Sequence, residues 1–355
     1  MKTTKTKTTI FTLLIAGAAL LSGCLGEYNP PEIKRTDVTV IVNEGTVADK
    51  NGSIRLYIEN QNVLNPAVRN LSGNIQSAVR VQESLWVVAN NPDKVSVIDL
   101  IYDRMTELPA TELQTPRYAD YYIDSYESKL FISNWGDSVT ADNEHPESYV
   151  AVYNLNNYYL PPTKLPCGSD AEGLFVDMNA KRLFVATKTG VVAFDLSKTT
   201  MPRDTVITST QFSGHAKQFV FDSTGVVWVS YSDGGVMGFN PKTYAVTAEY
   251  PIPLDSATGA IAIDMTWTKM ISYGASPAVI YATDLTTGAR EELIRGSFNP
   301  TSIGVCPISG NIYTSDTKAD GKSTLLIFDK DGNKIVEEAE VGYRTKGYTY
   351  FMVLS

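Results

Sequence analysis

The chain has 355 residues, with 39 acidic against 30 basic side chains and a formal charge of −9 at pH 7. Such a surface repels nucleic acid and anionic membranes, so neither is expected as a partner. Three cysteines make no disulfide framework.

Residues 1–23 read as a bacterial secretion signal. Lys2, Lys5 and Lys7 form its basic end, IFTLLIAGAALL its apolar core and LSGC its close. The core is too short to span a bilayer and stay there. LSGC also matches a lipobox, in which small residues fit the signal peptidase and Cys24 takes the lipid. An ordinary cleavable signal with an incidental cysteine is the alternative. On the lipobox reading the mature protein begins at Cys24, has 332 residues, carries 27 basic against 39 acidic side chains and is tethered by lipid alone. Residues 24–36, polar and with two prolines, read as the tether.

From residue 37 to 355 the pattern is β throughout. No segment sustains a helical apolar stripe, and alternating or β-branched runs are broken by turn residues. SAVRV, SLWVVAN, KVSVIDL and an outer strand near MTELP make one unit. GLFVDMNAKRLFVAT, QFVFDSTGVVWVSY and SIGVCPISGNIYTSD repeat its first two strands across MNAK, DSTG and PISG turns. The third strands end at Asn60, Asp99, Asn154, Asp195, Asn240, Asp284 and Asp329, with gaps of 39, 55, 41, 45, 44 and 45 residues. A period of about 40 to 50 residues without a helical unit predicts an all-β, seven-bladed β-propeller. The Asp and Asn side chains are expected to bond turn backbone two residues on rather than to do chemistry. Residues 38–43 and 54–58 lack a preceding first strand, whereas YTYFMVLS is left over at the end. Pairing it as the inner strand of blade one closes the ring and removes both edges. Cys167 and Cys306 fall in different blades and are expected as buried free thiols.

Strand parity puts the approaches to the first strands and the second-to-third connections on one face. Near the channel mouth these carry Gln76, Arg117, Glu172, Lys217, Thr258, Thr301 and Lys346. The loops of that face carry Asn90, Trp135, Tyr231, Tyr273, Lys188 and Lys318. Aromatic platforms beside amides and charges suit a large polar ligand; a plain solvated rim is the alternative. The insertion from Gly136 to Ser148 lies on the same face and reads as a flap, a contact surface or disorder. His145 and His215, two blades apart, do not suggest a metal or haem centre. DTKADGKS, from Asp316, lacks the later Glu of a calcium loop. No cofactor and no catalytic residue are expected.

NEGTVADKNGSIRLYI, SAVRVQESLWVVANNPDKVSVIDL and TPRYADYYIDSYESKLFISNWG resemble the YncE-like propeller lipoproteins of gut bacteria that work with outer-membrane uptake complexes. The resemblance rests on Asn43-Glu44-Gly45, Asn51-Gly52-Ser53 and the strand-turn units, and covers nearly all of the chain after Cys24. Within that family the chain is similar to surface lipoproteins that capture vitamin B12 and hand it to a TonB-dependent transporter. This implies an outer-membrane lipoprotein, not an enzyme, that binds cobalamin or a related corrinoid. Asn90, Arg117, Trp135, Glu172, Lys217, Tyr231 and Tyr273 are then the ligand contacts. LGEYNPPE carries only Glu27 and Glu32 where such proteins have an acidic export stretch, so anchoring toward the periplasm stays open. A glycan- or protein-binding propeller is the alternative, ahead of a lactonase-like enzyme or a docking scaffold.

Overall fold

Seven small antiparallel sheets follow one another along the chain, six of them built from strands adjacent in sequence and the first completed by the last strand. The computed structural model describes residues 35–354, apart from 66, 67, 101, 103, 109–111, 256, 276 and 277. Cys24, the expected signal and the tether up to residue 34 lie outside the described residues. Asp37–Met352 form one compact unit.

Blade two is the plainest: Asn74–Val81, Ser84–Asn90, Lys94–Asp99 and Met105–Glu107, in that order from the channel outward. Blade three runs Pro116–Ile123, Ser128–Asn134, Ser148–Asn154 and Thr163–Gly168; blade four runs Leu174–Asp177, Arg182–Thr187, Gly190–Asp195 and Arg203–Ile207. Blades five, six and seven begin at Ala216–Phe221, Ile261–Ile263 and Ile303–Val305 and repeat the same order. In blade one the inner strand is Thr345–Leu354, paired with Arg35–Asn43. The fold is the seven-bladed propeller expected from the repeat, with the last strand closing blade one. Phe351 is buried there, and the rings of Tyr348 and Tyr350 lie 5.5 and 5.8 Å from that of Tyr313 in blade seven.

The core sits between blades. Phe131 and Val150 of blade three pack with Leu183, Val192 and Phe194 of blade four. Phe184 and Ala193 of blade four pack with Val229, Met237 and Phe239 of blade five. β-branched and aromatic residues on both faces of each sheet are what such double-sided burial requires. Cys167 and Cys306 are buried and unpaired, and burial pushes the Cys167 thiol up to about 12.

The Asp and Asn repeat is turn chemistry. Asn154, Asp195, Asn240, Asp284 and Asp329 each accept the backbone N–H two residues on, at 2.9 to 3.0 Å, and Asp99 that of Tyr102 at 2.9 Å. Asn60 departs from the series, because the third strand of blade one stops at Ile58 and a 3-10 turn, Glu59–Gln61, follows. A second acidic series caps the first hairpins of blades three to six: Asp124, Asp177, Asp222 and Asp264 accept from Tyr126, Asn179, Thr224 and Thr266. First and third hairpins lie on one rim, so the opposite face carries the candidate site.

Candidate functional site

All seven residues expected at the channel mouth stand at the first-strand entrances. Gln76, Arg117, Lys217 and Lys346 lie within the first three residues of their strands, and Glu172, Thr258 and Thr301 two or three residues ahead of theirs. Five blades contribute to one network. Glu172 Oε2 accepts from Arg117 Nε at 3.3 Å and Glu172 Oε1 from Lys217 Nζ at 3.2 Å. Arg117 Nη1 also donates to Gln76 Oε1, and Gln76 Nε2 donates to Glu44 Oε1 at 3.3 Å and Asn90 Oδ1 at 3.4 Å. Lys346 Nζ stands 3.9 Å from Glu44.

Two glycines make this geometry possible. A side chain at Gly173 would strike the Lys217 carbonyl at 2.3 Å, so only glycine lets blade four reach blade five here, where Gly173 N–H bonds that carbonyl at 2.9 Å. At Gly259 φ is +57°, and an added Cβ would lie 2.5 Å from Lys217 Cβ. The stem of Lys217 is thus held and its ammonium delivered to Glu172. Serines of the second strands latch neighbouring blades: Ser133 Oγ donates to Glu172 O at 2.6 Å, and Ser230 Oγ to Gly259 O at 2.7 Å.

Glu172 is 4% exposed. Burial alone would raise its carboxyl, but the cations of Arg117, Lys217 and Lys346 outweigh it and hold the group below its ordinary range. Burial likewise pushes Lys346 below the usual lysine range, partly offset by Glu44.

The expected aromatic platforms divide. Trp135 stays half-buried on the face, with the Arg117 guanidinium 4.1 Å from its ring centroid and the His145 ring stacked at 4.4 Å and 24°. Tyr231 and Tyr273 are 2% and 0% exposed, which corrects the expectation of loop platforms. They sit in second strands as inward-facing residues. Tyr231 packs against Phe212, and the Tyr273 hydroxyl lies 3.1 Å from Thr258 Oγ1 and 3.5 Å from Asp255 Oδ2. Strand parity, not loop position, decides their burial.

The insertion folds onto blade four. His145 N–H bonds Asp170 Oδ1 at 2.9 Å, Asp170 N–H bonds His145 O at 3.1 Å, and Glu144 pairs with Lys188. The Trp135 Nε1 and His145 Nδ1 atoms beneath are buried without a hydrogen-bond partner. Among the described residues no group of three or more His, Cys, Asp or Glu is placed to hold a metal. In the DTKADGKS turn Asp316 accepts from Asn299 N–H at 2.9 Å and pairs with Lys318.

Sequence reasoning missed Tyr118, Gln218 and the serine latches. Tyr118 and Gln218 line the channel, where Gln218 Nε2 donates to the Tyr118 hydroxyl at 3.2 Å and to Thr258 O at 3.3 Å. The latches had a partial mark, since a serine stands near the end of the second strand in FISN and WVSY, although the Ser272 hydroxyl at the like place in MISY is buried without a hydrogen-bond partner.

No protein-family model matches the sequence, and no curated protein matches it. Solved structures match at low identity. Apo AztD from Citrobacter koseri is 12% identical with a TM-score of 0.56, the match covering 89% of this chain and 98% of that one. A second AztD structure from that organism is 11% identical at 0.57, covering 90% and 99%. A chain of a mitotic checkpoint complex is 13% identical at 0.57, covering 74% and 78%. The likeness establishes a shared propeller fold.

Proposed function

We propose that this propeller captures a large, amide-bearing ligand of the corrinoid class across the face that bears the channel mouth, as an outer-membrane lipoprotein acylated at Cys24. It passes the ligand to a TonB-dependent transporter. The observation that carries the reading is the mouth itself: Asn90, Gln76, Arg117, Glu172 and Lys217, fixed by one another, stand beside Trp135. Preset donors and acceptors next to an aromatic plane favour binding, because little ordering is left to do on association. The central cavity holds about 290 Å³, too little for a macrocycle, so the ligand lies over the face and not inside the ring. Trp135, its ring faces taken by Arg117 and His145, offers its edge as the apolar contact, and Tyr231 and Tyr273 support the floor from within. The ion-paired state of Glu172 favours binding over acid/base chemistry.

Titration calorimetry with cyanocobalamin tests this. Trp135→Ala is expected to weaken binding by roughly thirtyfold, as for a central aromatic anchor. Asp284→Ala on the opposite rim leaves affinity unchanged. Absence of heat with the intact protein ends the corrinoid reading, and a glycan titration then takes its place.

A further inference from the structure

Below the mouth a cavity of about 290 Å³ follows the inner strands from Gln76 and Lys346 down to Val79 and Tyr350. Its lining is chemically one-sided. Among the described residues Lys346 is the one charged side chain that lines it, and no carboxylate does, in a chain with nine more acids than bases. An ammonium has three donors to place. The carboxylate paired with Lys346, Glu44, stands 3.9 Å away, beyond hydrogen-bond reach.

Neutral hydroxyl-bearing residues line the same cavity. The Tyr118 hydroxyl accepts from Gln218 Nε2 at 3.2 Å, which leaves its own O–H to donate. Burial pushes that hydroxyl up to about 12, so it keeps its proton at neutral pH. The hydroxyls of Ser77 and Tyr350, both on the lining, are buried with no hydrogen-bond partner, whereas that of Tyr348 lies beside Ser302 and Ser315 of blade seven. At the entrance Arg117, Lys217, Arg344 and Lys346 outnumber Glu44 and Glu172, which favours entry of negative charge.

Buried donors in native proteins find acceptors, and a cation without a bonded carboxylate takes an anionic one. We propose that the central channel is a binding site for a small oxyanion, a carboxylate or a phosphate, held by Lys346 Nζ with the hydroxyl of Tyr118 donating to it. The site opens at the mouth of the face that takes the larger ligand but lies within the channel, and does not depend on that reading.

The test uses the mature protein without corrinoid. Its melting temperature is followed against sodium phosphate and sodium acetate, with sodium chloride at matched ionic strength as reference, and line broadening of the phosphorus resonance of inorganic phosphate gives a second readout. A saturable rise with phosphate, acetate or both, absent in chloride, is expected, and which anion acts fixes the oxyanion class. Lys346→Met should weaken the effect by about tenfold or more, the worth of a charged hydrogen bond. Tyr118→Phe should weaken it severalfold. Should Lys346→Met fail to fold, Tyr118→Phe carries the same test. Equal rises in chloride, no rise with either anion, or unchanged binding in the variants overturns the proposal. Because no corrinoid is present, its failure is separable from failure of the cyanocobalamin titration.

Discussion

On the hairpin rim Asp284 accepts the backbone N–H groups of Thr286 and Thr287, two and three residues on. At the channel mouth Glu172 accepts from Arg117, 55 residues earlier, and from Lys217, 45 residues later. One carboxylate completes a local turn; the other joins three blades across the sequence. The exposed turn acid has water as an alternative partner and so contributes little to stability, whereas the buried one is indispensable to the cations it pairs. Local wiring recurs wherever a hairpin does. Long-range wiring is what distinguishes one propeller from another.

Closure is the condition for both rims, and removing it has the largest expected effect. Residues 348–355 carry most of the inner strand of blade one, with Phe351 buried against blade two and Tyr348 and Tyr350 half-buried against Tyr313. At about 1.5 to 3 kcal/mol per fully buried large side chain, their loss consumes much of an ordinary stability of about 5 to 15 kcal/mol. Chain lacking 348–355 should be recovered aggregated or protease-labile. An unchanged melting curve would break the account of the ring as a closed unit.

Glu172→Gln sharpens the comparison at the mouth. It keeps shape and removes charge, leaving Arg117 and Lys217 partly buried without their acid. Breaking one side of a buried pair costs about 3 to 5 kcal/mol, and the side chains of Arg117, Lys217 and Glu172 are 13%, 14% and 5% exposed. The pH dependence has a definite sign. The folded carboxyl is held below its unfolded value, so its stabilisation is full above the ordinary carboxylate range and is lost as pH falls through the lower folded value. Denaturant melts of the two proteins should therefore differ most near neutral pH and converge in acid. A gap that stays constant with pH would show that charge pairing is not the cause.

The repeat, the closing strand and the hairpin acids were legible because each rests on residues close in sequence or on a simple period. The identity of the mouth residues was legible as well, since strand parity places Gln76, Arg117, Glu172, Lys217 and Lys346 at inner-strand entrances. Their pairing was not. Whether Arg117 meets Glu172 or stands free for a ligand depends on blade-to-blade contacts such as Gly173 on Lys217, which no local pattern announces. Tyr231 and Tyr273 were misplaced for the converse reason. They end apolar strands beside turn residues, and their parity, which turns both inward, outweighs their closeness to the loops.

The smallest expected effect lies on the hairpin rim, where Asp284→Ala and Asp329→Ala each remove an acceptor for two backbone N–H groups. Both N–H groups lie in an exposed turn where water is a replacement partner, so each substitution should cost little, in the manner of a lost surface cap. The Asp284 and Asp329 carboxyls are held below the ordinary range chiefly by hydrogen bonds from Thr287 and Asn333 respectively. Asn at either site keeps an acceptor oxygen without the charge and should restore most of the loss. Because the two turns lie in different blades and share no partner, the double variant should lose the sum of the two, which urea melts at neutral pH would measure. A cost as large as that of Glu172→Gln, or strong coupling between the two sites, would mean that the rim is wired across blades like the mouth, and the contrast between the two faces would not stand.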